Sequence, residues 1–499
     1  PAGAERKGSK MIHKLAPDEG VSPATTLSRP KYDRSKLTPG IVHVGVGNFH
    51  RAHQAHYLHR LFNTGRDHDW AIVGAGIKPF DASMRDRLEQ QDWQTTVMEL
   101  DPAGFSATVV GSMIDFAPID PHAIIETMSR AEIRIVSLTV TEGGYYIDAK
   151  TGSFDENHPE IVADAENPDD PKTVFGIIIA ALQKRREAGL PPFTVMSCDN
   201  LPGNGHVTET TVMGLARQMG GDIADFIKEN VAFPNGMVDC ITPATGPREI
   251  KLVNETFNVD DKAPVVCEPF RQWVLEDNFP QGRPALENVG VEFVEDVAPY
   301  ELMKLRILNG GHAVIAYSSA LLGHTYAHEG MADPLVTGFL EKLEFSEMIP
   351  TVPEIPGVSL TDYYHKIVER FGNAELGDTI ARLCLDGSNR QPKFILPTVA
   401  DRLKAGESID GLALESALWC RYCTGTGEDG SEHKIDDILA ERLKKTALEA
   451  KDDPDAWLKM HDIYGPLGEN ETFRKAFADA LNAIWANGTK ATLEAYLKG

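Results

Sequence analysis

Short apolar runs alternate with amphipathic segments from residue 40 to about residue 296. Runs rich in β-branched residues predict strands from residue 40 and at residues 70–77, 133–141, 193–197, 237–242, 265–268 and 291–296. Apolar residues at helical spacing predict helices up to about residue 63 and at residues 173–187 and 207–219. Strands that alternate with helices form βαβ units, so this part of the chain predicts a mostly parallel, doubly wound α/β sheet.

After about residue 296 the strand pattern nearly vanishes and helical periodicity continues to residue 498, for example at residues 334–344, 360–370, 411–422 and 436–448. We therefore predict a Rossmann-type doubly wound sheet domain followed by a mostly α-helical C-terminal domain. The predicted parts are an N-terminal arm (1–39), a dinucleotide-binding domain (40–297) and a helical substrate-binding domain (298–499). We expect the active site in the cleft between the two domains.

Composition narrows the possible partners and compartments. The net charge of −25 over 499 residues argues against nucleic acid or an anionic membrane as a partner. The longest apolar run, residues 174–182, is too short to span a bilayer, and the polar N-terminus argues against a secretory signal. Six cysteines include one CxxC pair, Cys420 and Cys423, with no second pair at zinc spacing. We expect a reduced cytoplasmic protein.

The first predicted strand runs into a glycine turn and a helix, which is the context of a dinucleotide-binding fingerprint. Gly45 and Gly47 would allow the tight turn and the close approach of a pyrophosphate, and His50 replaces the third glycine. An ordinary strand-to-helix turn is the alternative. The candidate cofactor-binding residues are Val44, Gly45, Val46, Gly47, Asn48, Phe49, His50 and Arg51.

Two further cofactor contacts are expected at the ends of later strands. Asp81, just beyond the second strand, could bind the adenosine ribose, whereas Lys78 would tolerate a 2′-phosphate, so the residues leave NAD and NADP both open. Glu142 lies in a polar group that follows the strand at residues 133–141.

Four histidines at steps of three, His50, His53, His56 and His59, suggest a metal site at first sight. On a helix they would fan over about 180°, so they could not converge on one ion. We predict that no metal is bound.

Residues 299–312 hold the strongest candidate chemistry. On a helix Glu301, Lys304, Asn309 and His312 would share an arc of about 140°, which would offer a base, an amide donor and an imidazole on one face. The pair Gly310-Gly311 costs roughly 0.5–1 kcal/mol per glycine in a helix, so we expect a close approach to the backbone there. The alternative is a turn between two helices with a solvated lysine.

Four motifs together resemble the polyol-specific long-chain dehydrogenases, in their mannitol-oxidising branch. They are Gly45-Val-Gly-Asn-Phe-His-Arg-Ala-His-Gln54, Cys198-Asp-Asn-Leu201, Met237-Val-Asp-Cys-Ile-Thr-Pro243 and Lys304-x4-Asn309-x2-His312. Cys240 departs from the arginine that many members have at that position.

The resemblance implies metal-independent oxidation of D-mannitol at C2 to D-fructose with NAD, by a monomer acting on a small polyol or ketose. It implies Lys304 as the base, Asn200 and Asn309 as donors to the reacting oxygen, and His312 as the residue that orients the sugar. Glu301 would lie on a proton path to solvent. Distal hydroxyls would be bound by Asp239, Arg382 and Arg390.

Chemistry supports a protein base independently, because alcohol oxidation without zinc requires a side chain to accept the proton. Within the family, a uronate reductase or an arabinitol dehydrogenase is the alternative. From other classes, the alternatives are a nucleotide-binding regulatory protein with an inactive site and a zinc alcohol dehydrogenase.

Overall fold

The computed structural model describes residues 26–499. The predicted N-terminal arm lies outside the described residues as far as residue 25, and its remainder contains one short strand that pairs in a sheet. The chain divides into two compact units between Ala298 and Pro299. Among the described residues, none of the helices has the length and apolar character needed to cross a membrane.

The first unit contains twelve strands among its described residues. They are β1 (Thr26–Ser28), β2 (Pro39–Val44), β3 (Ala71–Ala75), β4 (Thr95–Glu99), β5 (Ser106–Val110), β6 (Met113–Phe116), β7 (Ile135–Leu138), β8 (Thr194–Ser197), β9 (Gly236–Asp239), β10 (Val265–Cys267), β11 (Gln272–Glu276) and β12 (Glu292–Val294). Its α-helices are α1 (Asn48–Ala52), α2 (Gln54–Asn63), α3 (Pro79–Glu89), α4 (Pro121–Met128), α5 (Pro159–Glu166), α6 (Val174–Glu187), α7 (Asn204–Met219), α8 (Ile223–Asn230) and α9 (Pro247–Phe257).

The central sheet has the order β6-β3-β2-β7-β8, and all neighbouring strands in it are parallel. When these five strands are numbered along the chain, the order is 3-2-1-4-5, which is the order of a Rossmann sheet. The order reverses between β2 and β7, and ligands of such sheets bind beyond the carboxyl ends of the strands at that point. This confirms the predicted fold class of the first unit.

Alternate residues of the central strands enter different hydrophobic clusters. Ile41 of β2 belongs to one cluster, whereas Val42 and Val44 belong to another. Both faces of the sheet are therefore covered, which explains why its strands are almost wholly apolar.

Three of the predicted strands do not join the parallel sheet. β10 lies in a four-stranded sheet of order β1-β5-β4-β10, and β9 and β12 lie in a three-stranded sheet of order β12-β11-β9. Both smaller sheets are mixed, because β4 runs antiparallel to β5 and β11 runs antiparallel to β9. The alternation pattern did not single out β4, β5 and β11, so it could not show that β9, β10 and β12 had other partners.

The regular structure of the second unit, residues 299–499, consists of helices joined by loops. Its α-helices are α10 (Ala298–Met303), α11 (Gly310–Leu321), α12 (Ala327–Ala332), α13 (Pro334–Leu343), α14 (Leu360–Phe371), α15 (Ile380–Cys384), α16 (Gly387–Phe394), α17 (Leu396–Lys404), α18 (Asp410–Tyr422), α19 (Ala440–Ala450), α20 (Asp455–Leu458), α21 (His461–Tyr464) and α22 (Glu471–Lys498). Helix α18 packs against α11 and α22, and almost every residue of α18 is buried. A helix that is buried all round forms the centre of a domain, which confirms the predicted helical C-terminal part.

Candidate active site

The turn after β2 is built on a close contact between two backbones. Gly45 has φ +92°, and a Cβ built there would lie 2.1 Å from the carbonyl oxygen of Thr139. The Thr139 hydroxyl donates a hydrogen bond to the Gly45 carbonyl oxygen over 2.6 Å. Only glycine fits this position, so the tight turn expected at Gly45 is present at the switch point of the sheet.

The second glycine has open space around it. Gly47 is the N-cap of α1, and nothing lies within 4 Å of the point where its Cβ would be. The buried Arg51 guanidinium donates to the Gly47 carbonyl oxygen at 3.2 Å and to the Asn48 side-chain oxygen at 2.8 Å. Arg51 thereby fixes the turn that carries Gly47, and burial lowers the pKa of Arg51 to about 10.

His50 occupies the place of the third glycine and packs flat on His43 of β2. The rings of His43 and His50 are stacked, with centroids 3.5 Å apart and planes 9° from parallel. Both rings are buried, and burial lowers the pKa of His43 to about 3 and that of His50 well below its ordinary value. Two neutral imidazoles in contact therefore replace the close helix–strand packing that a glycine usually provides.

A cavity of about 270 Å³ lies beside this turn within the first unit. Its lining includes Asn48, Arg51, Phe80, Met84, Arg87 and Thr245. The open space at Gly47 and two arginines beside it fit a nucleotide cofactor, which carries anionic phosphates and a flat base.

The predicted ribose-binding acid supports the backbone at the start of α3. One oxygen of the Asp81 carboxylate accepts from the backbone N–H groups of Ile77 and Lys78, at 3.1 and 3.0 Å. The role of Asp81 toward a ribose stays a prediction. Glu142 is exposed in the 3-10 helix Glu142–Tyr145 that follows β7.

The four histidines of the N-terminal helices contact different groups. His50 stacks on His43, His53 Nε2 lies 2.8 Å from the Gln272 carbonyl oxygen, His56 lies 4.0 Å from Glu99, and His59 Nδ1 lies 2.6 Å from the Tyr32 hydroxyl. The rings therefore diverge. Within residues 26–499 no cluster of three or more His, Cys, Asp or Glu side chains could hold a metal ion.

Asn200 follows a strand of the parallel sheet, whereas Asp239 ends a strand of the three-stranded sheet. Val44, Leu138 and Ser197 are paired in register as the last residues of β2, β7 and β8. Asn200 is exposed in the loop that follows β8, and Asp239 is buried at the end of β9. The buried Asn204 amide donates to the carbonyl oxygens of Ser197 at 3.2 Å and Gly236 at 2.9 Å, so it joins the end of β8 to the start of β9.

Cys240, which departs from the family pattern, follows Asp239 in the core of the first unit. A hydrogen bond with Cys267 and burial raise the pKa of its thiol well above the ordinary value. The thiol therefore behaves as a small apolar group beside Asp239.

Lys304 is 7% exposed and begins a π-helix, Lys304–Asn309, between α10 and α11. The helical arc predicted above assumed α-helical geometry, which is wrong for these six residues. In an α-helix Lys304 and Asn309 would lie about 140° apart, whereas the i→i+5 hydrogen bonds of a π-helix bring residues five apart to adjacent turns. The π-helix therefore brings the two side chains closer to one face than the prediction allowed.

The two glycines after Asn309 continue the helix, so the alternative of a turn between two helices is wrong. A Cβ at Gly310 would lie 2.2 Å from Met348 Cε, and one at Gly311 would lie 3.0 Å from a carboxylate oxygen of Glu344. Both neighbours belong to a second π-helix, Glu344–Met348. The glycines thus allow the close approach to the backbone that the sequence predicted, and the approaching group is a second helix.

His312 follows Gly311 directly on α11. Its ring stacks on Phe371, with centroids 4.1 Å apart and planes 18° from parallel. This contact fixes the plane of the imidazole, which a side chain that orients a substrate requires.

The two arginines predicted to bind hydroxyls lie close to each other. Arg382 forms a bidentate ion pair with Asp378, at 2.5 and 2.6 Å, and this pair raises the pKa of Arg382. Arg390 donates to the carbonyl oxygens of Arg382 at 3.3 Å and Leu383 at 3.2 Å, and burial lowers its pKa. Both guanidinium groups are partly exposed, so each can reach a polar ligand.

Sequence reasoning missed Phe80 and Arg87, which line the cavity beside the glycine turn. Phe80 is 56% exposed, and its place at the start of α3, one residue before the predicted contact Asp81, is the signal in the sequence that could have pointed to it. Asp199 and Tyr145 were also missed as a pair, because their contact joins two loops that are distant in sequence.

The sheet order and the glycine turn define a protein of the Rossmann class. The family described as "Mannitol dehydrogenase Rossmann domain" matches residues 39–288, and the "Mannitol dehydrogenase C-terminal domain" matches residues 296–485. The chain therefore belongs to the mannitol dehydrogenase family and is an oxidoreductase, which confirms the resemblance found in its motifs.

Individual relatives cover almost the whole chain. A mannitol 2-dehydrogenase of Cereibacter sphaeroides is 57% identical over 95% of this chain and 99% of its own length. The solved ternary complex of Pseudomonas fluorescens mannitol 2-dehydrogenase with NAD and D-mannitol is 41% identical, with a TM-score of 0.81, over 96% of this chain and 98% of that one. A substrate-free D-sorbitol dehydrogenase is 34% identical, with a TM-score of 0.88, over 95% of this chain and 98% of that one.

Proposed function

We propose that this chain oxidises D-mannitol at C2 to D-fructose with NAD, reversibly and without a metal ion. The observation that carries the proposal is the buried Lys304 at the start of a π-helix that ends at Asn309. The complex of the Pseudomonas fluorescens relative with NAD and D-mannitol supports this choice of cofactor and substrate.

The cofactor, when bound, accepts the hydride from the alcohol carbon. Gly45, Gly47, Asn48 and Arg51 would hold it at the glycine turn, where the open space at Gly47 leaves room for the pyrophosphate. Asp81 would bind the ribose from the start of α3. These residues bind and orient the cofactor without taking part in the transfer.

Lys304 would remove the proton from the C2 hydroxyl. A general base works best when its pKa lies near the operating pH, and burial shifts the pKa of a lysine downward in that direction. Glu301 lies one turn earlier on α10 and would pass the proton on to solvent. In this proposal no metal ion is needed to acidify the alcohol.

The amides of Asn200 and Asn309 would donate hydrogen bonds to the oxygen as negative charge develops on it. One such donor contributes roughly 2.7–4 kcal/mol to the stability of a transition state. His312, held by Phe371, would orient the sugar, while Asp239, Arg382 and Arg390 would bind its distal hydroxyls.

A second candidate substrate is D-sorbitol, because a D-sorbitol dehydrogenase shares the fold over nearly the whole chain. D-Mannitol and D-sorbitol differ in configuration at C2, the carbon that the proposed reaction oxidises, so the side chains that orient the C2 hydroxyl would decide between them. A monomeric state and a cytoplasmic location stay predictions.

The test is NADH formation in the presence of a metal chelator with D-mannitol, D-sorbitol and D-arabinitol, and NADH consumption with D-fructose and D-fructuronate. We expect the highest kcat/KM with D-mannitol and no effect of the chelator. A clear preference for fructuronate would replace the proposal with a uronate reductase. NADH binding without turnover on any substrate would replace it with an inactive, nucleotide-binding protein, and loss of activity to the chelator would contradict the metal-free mechanism.

A further inference from the structure

The carboxylate of Asp199 joins two loops at the carboxyl edge of the central sheet. Asp199 is 7% exposed, follows β8 and immediately precedes Asn200. One of its oxygens accepts from the backbone N–H of Val140 and the other from that of Thr141, both over 2.9 Å. Val140 and Thr141 belong to the loop after β7, so a single side chain pairs with two successive amides of the neighbouring loop.

Two buried hydroxyl groups, those of Tyr145 and Ser197, form a hydrogen-bonded group with the Asp199 carboxylate. The Tyr145 hydroxyl donates to Asp199 and lies 2.6 Å from the Ser197 hydroxyl. Burial raises the pKa of Tyr145 well above its ordinary value, so the phenol keeps the proton that it donates. Burial also raises the pKa of Asp199, whereas the hydrogen bonds from Tyr145, Val140 and Thr141 lower it.

The loop that Asp199 holds is strained at one residue. Thr141 has φ +65° and ψ +161°, a region of backbone space that is essentially reserved for glycine. Such a conformation persists only where the surroundings fix it, and the Thr141 N–H is one of the two groups that Asp199 binds. Glu142, the next residue, is a predicted cofactor contact.

The same loop touches the glycine turn on its other side. Thr139 donates to the Gly45 carbonyl oxygen at 2.6 Å, and Asn204 donates to the Asp199 carbonyl oxygen at 3.1 Å. Hydrogen bonds therefore tie the glycine turn to Thr139, and they tie the backbone amides of Val140 and Thr141 to the Asp199 carboxylate. Asn200 follows Asp199 directly in the chain, so its backbone is anchored through Asp199 to the loop beside the predicted cofactor site.

We propose that Asp199 is a positioning residue that fixes the loop after β7 against the loop after β8 and so sets the direction of the Asn200 amide. The inference rests on the proposed function, because it requires Asn200 to donate to the reacting oxygen. Asp199 itself would touch neither substrate nor cofactor.

The test is a double-mutant cycle of Asp199→Asn and Asn200→Ala, with kcat/KM for D-mannitol as the readout and active sites counted by NADH titration. Asparagine keeps the shape of the side chain, but its amide turns a donor toward one of the two backbone N–H groups. We expect Asp199→Asn to lower kcat/KM about 10–100-fold through displacement of Asn200, and Asn200→Ala to lower it about 100–1,000-fold. The double variant should lie within about threefold of Asn200→Ala, because Asp199 acts through Asn200.

Two results would overturn the inference while leaving the proposed function intact: unchanged kcat/KM in Asp199→Asn, or a full multiplication of the two losses in the double variant. Wild-type turnover in Asn200→Ala would instead remove the proposed role of Asn200 and this inference with it. If Asp199→Asn does not fold, Tyr145→Phe enters the same cycle, since it removes one donor and keeps both backbone bonds. We expect a loss of about 3–10-fold that disappears in the Asn200→Ala background, and a loss that persists there would overturn the inference.

Discussion

A Cβ atom at Gly45 would lie 2.1 Å from the carbonyl oxygen of Thr139, so these two residues hold the turn after β2 against the loop after β7. At Gly47, two residues further on, nothing lies within 4 Å of the same point. Glycine therefore occupies positions 45 and 47 of this motif for two different physical reasons. Gly45 is required by the fold, whereas the open space at Gly47 is where we predict the pyrophosphate to bind.

This difference predicts opposite outcomes for two matched variants. Gly45→Ala should lower the free energy of unfolding by about 1–3 kcal/mol or more, because the new methyl group meets a backbone oxygen at positive φ. Gly47→Ala should keep its thermal midpoint but bind NADH more weakly, because the methyl group occupies the approach of the pyrophosphate. Thermal unfolding and NADH fluorescence titration measure both. Normal NADH affinity in Gly47→Ala would contradict the proposed position of the pyrophosphate.

Removal of the proposed base should separate binding from chemistry. We expect Lys304→Ala to keep its NADH affinity and to lose about 100–10,000-fold in kcat for D-mannitol at neutral pH. Lys366→Ala is the control, since Lys366 is an exposed lysine on α14 that pairs with Glu369. Stopped-flow kinetics and NADH titration distinguish the two effects, and wild-type turnover in Lys304→Ala would exclude Lys304 as the base.

We expect that removal of the Arg382 side chain, which pairs with Asp378, changes substrate affinity with little change in stability. Arg382→Ala should raise KM for D-mannitol about 10–100-fold, because a charge-assisted hydrogen bond to a hydroxyl is lost. The free energy of unfolding should change by less than about 1 kcal/mol, since the Arg382 side chain is half-exposed. Arg442→Ala removes an arginine of similar exposure from its pair with Asp462 and serves as the control. An unchanged KM in Arg382→Ala would place the hydroxyl contact elsewhere.

The stacked pair of His43 and His50 predicts a dependence of stability on pH. Burial holds the pKa of His43 at about 3 in the folded state, so below about pH 6.5 the unfolded chain binds a proton that the folded chain does not. The contribution of His43 to stability is therefore complete above pH 6.5 and is lost as the pH falls toward 3. Between pH 7 and 5 the loss should be roughly 2 kcal/mol.

Urea unfolding of wild type and His43→Gln at pH 7 and 5 measures this loss as a difference between the two proteins. Because the two proteins share the other titrating groups, the contributions of those groups to the free energy of unfolding cancel in the difference. His43→Gln should be less sensitive to acid than wild type, while His122→Gln, at an exposed histidine, should match wild type. An equal acid sensitivity in His43→Gln and wild type would show that His43 is not held neutral.

Much of the fold followed from local sequence. Alternating strands and helices predicted the Rossmann sheet, and unbroken helical periodicity predicted the second unit, because both patterns repeat within a few residues. The motif at Gly45 and the spacing of Lys304, Asn309 and His312 also placed the family. The roles of those side chains stay predictions.

Only the tertiary structure determined those features of the fold and of the candidate site that depend on residues distant in the sequence. The sequence could not show that Lys304–Asn309 winds as a π-helix, because Gly310 and Gly311 admit a second helix that approaches from residues 344–348. It also could not separate β9 and β10 from the central sheet, since strand partners are chosen by packing across the whole domain. The bond between Asp199 and Thr141 spans 58 residues of chain, so only the folded sheet brings them together. Local periodicity therefore determined which elements form, and packing between elements determined their geometry at the candidate site.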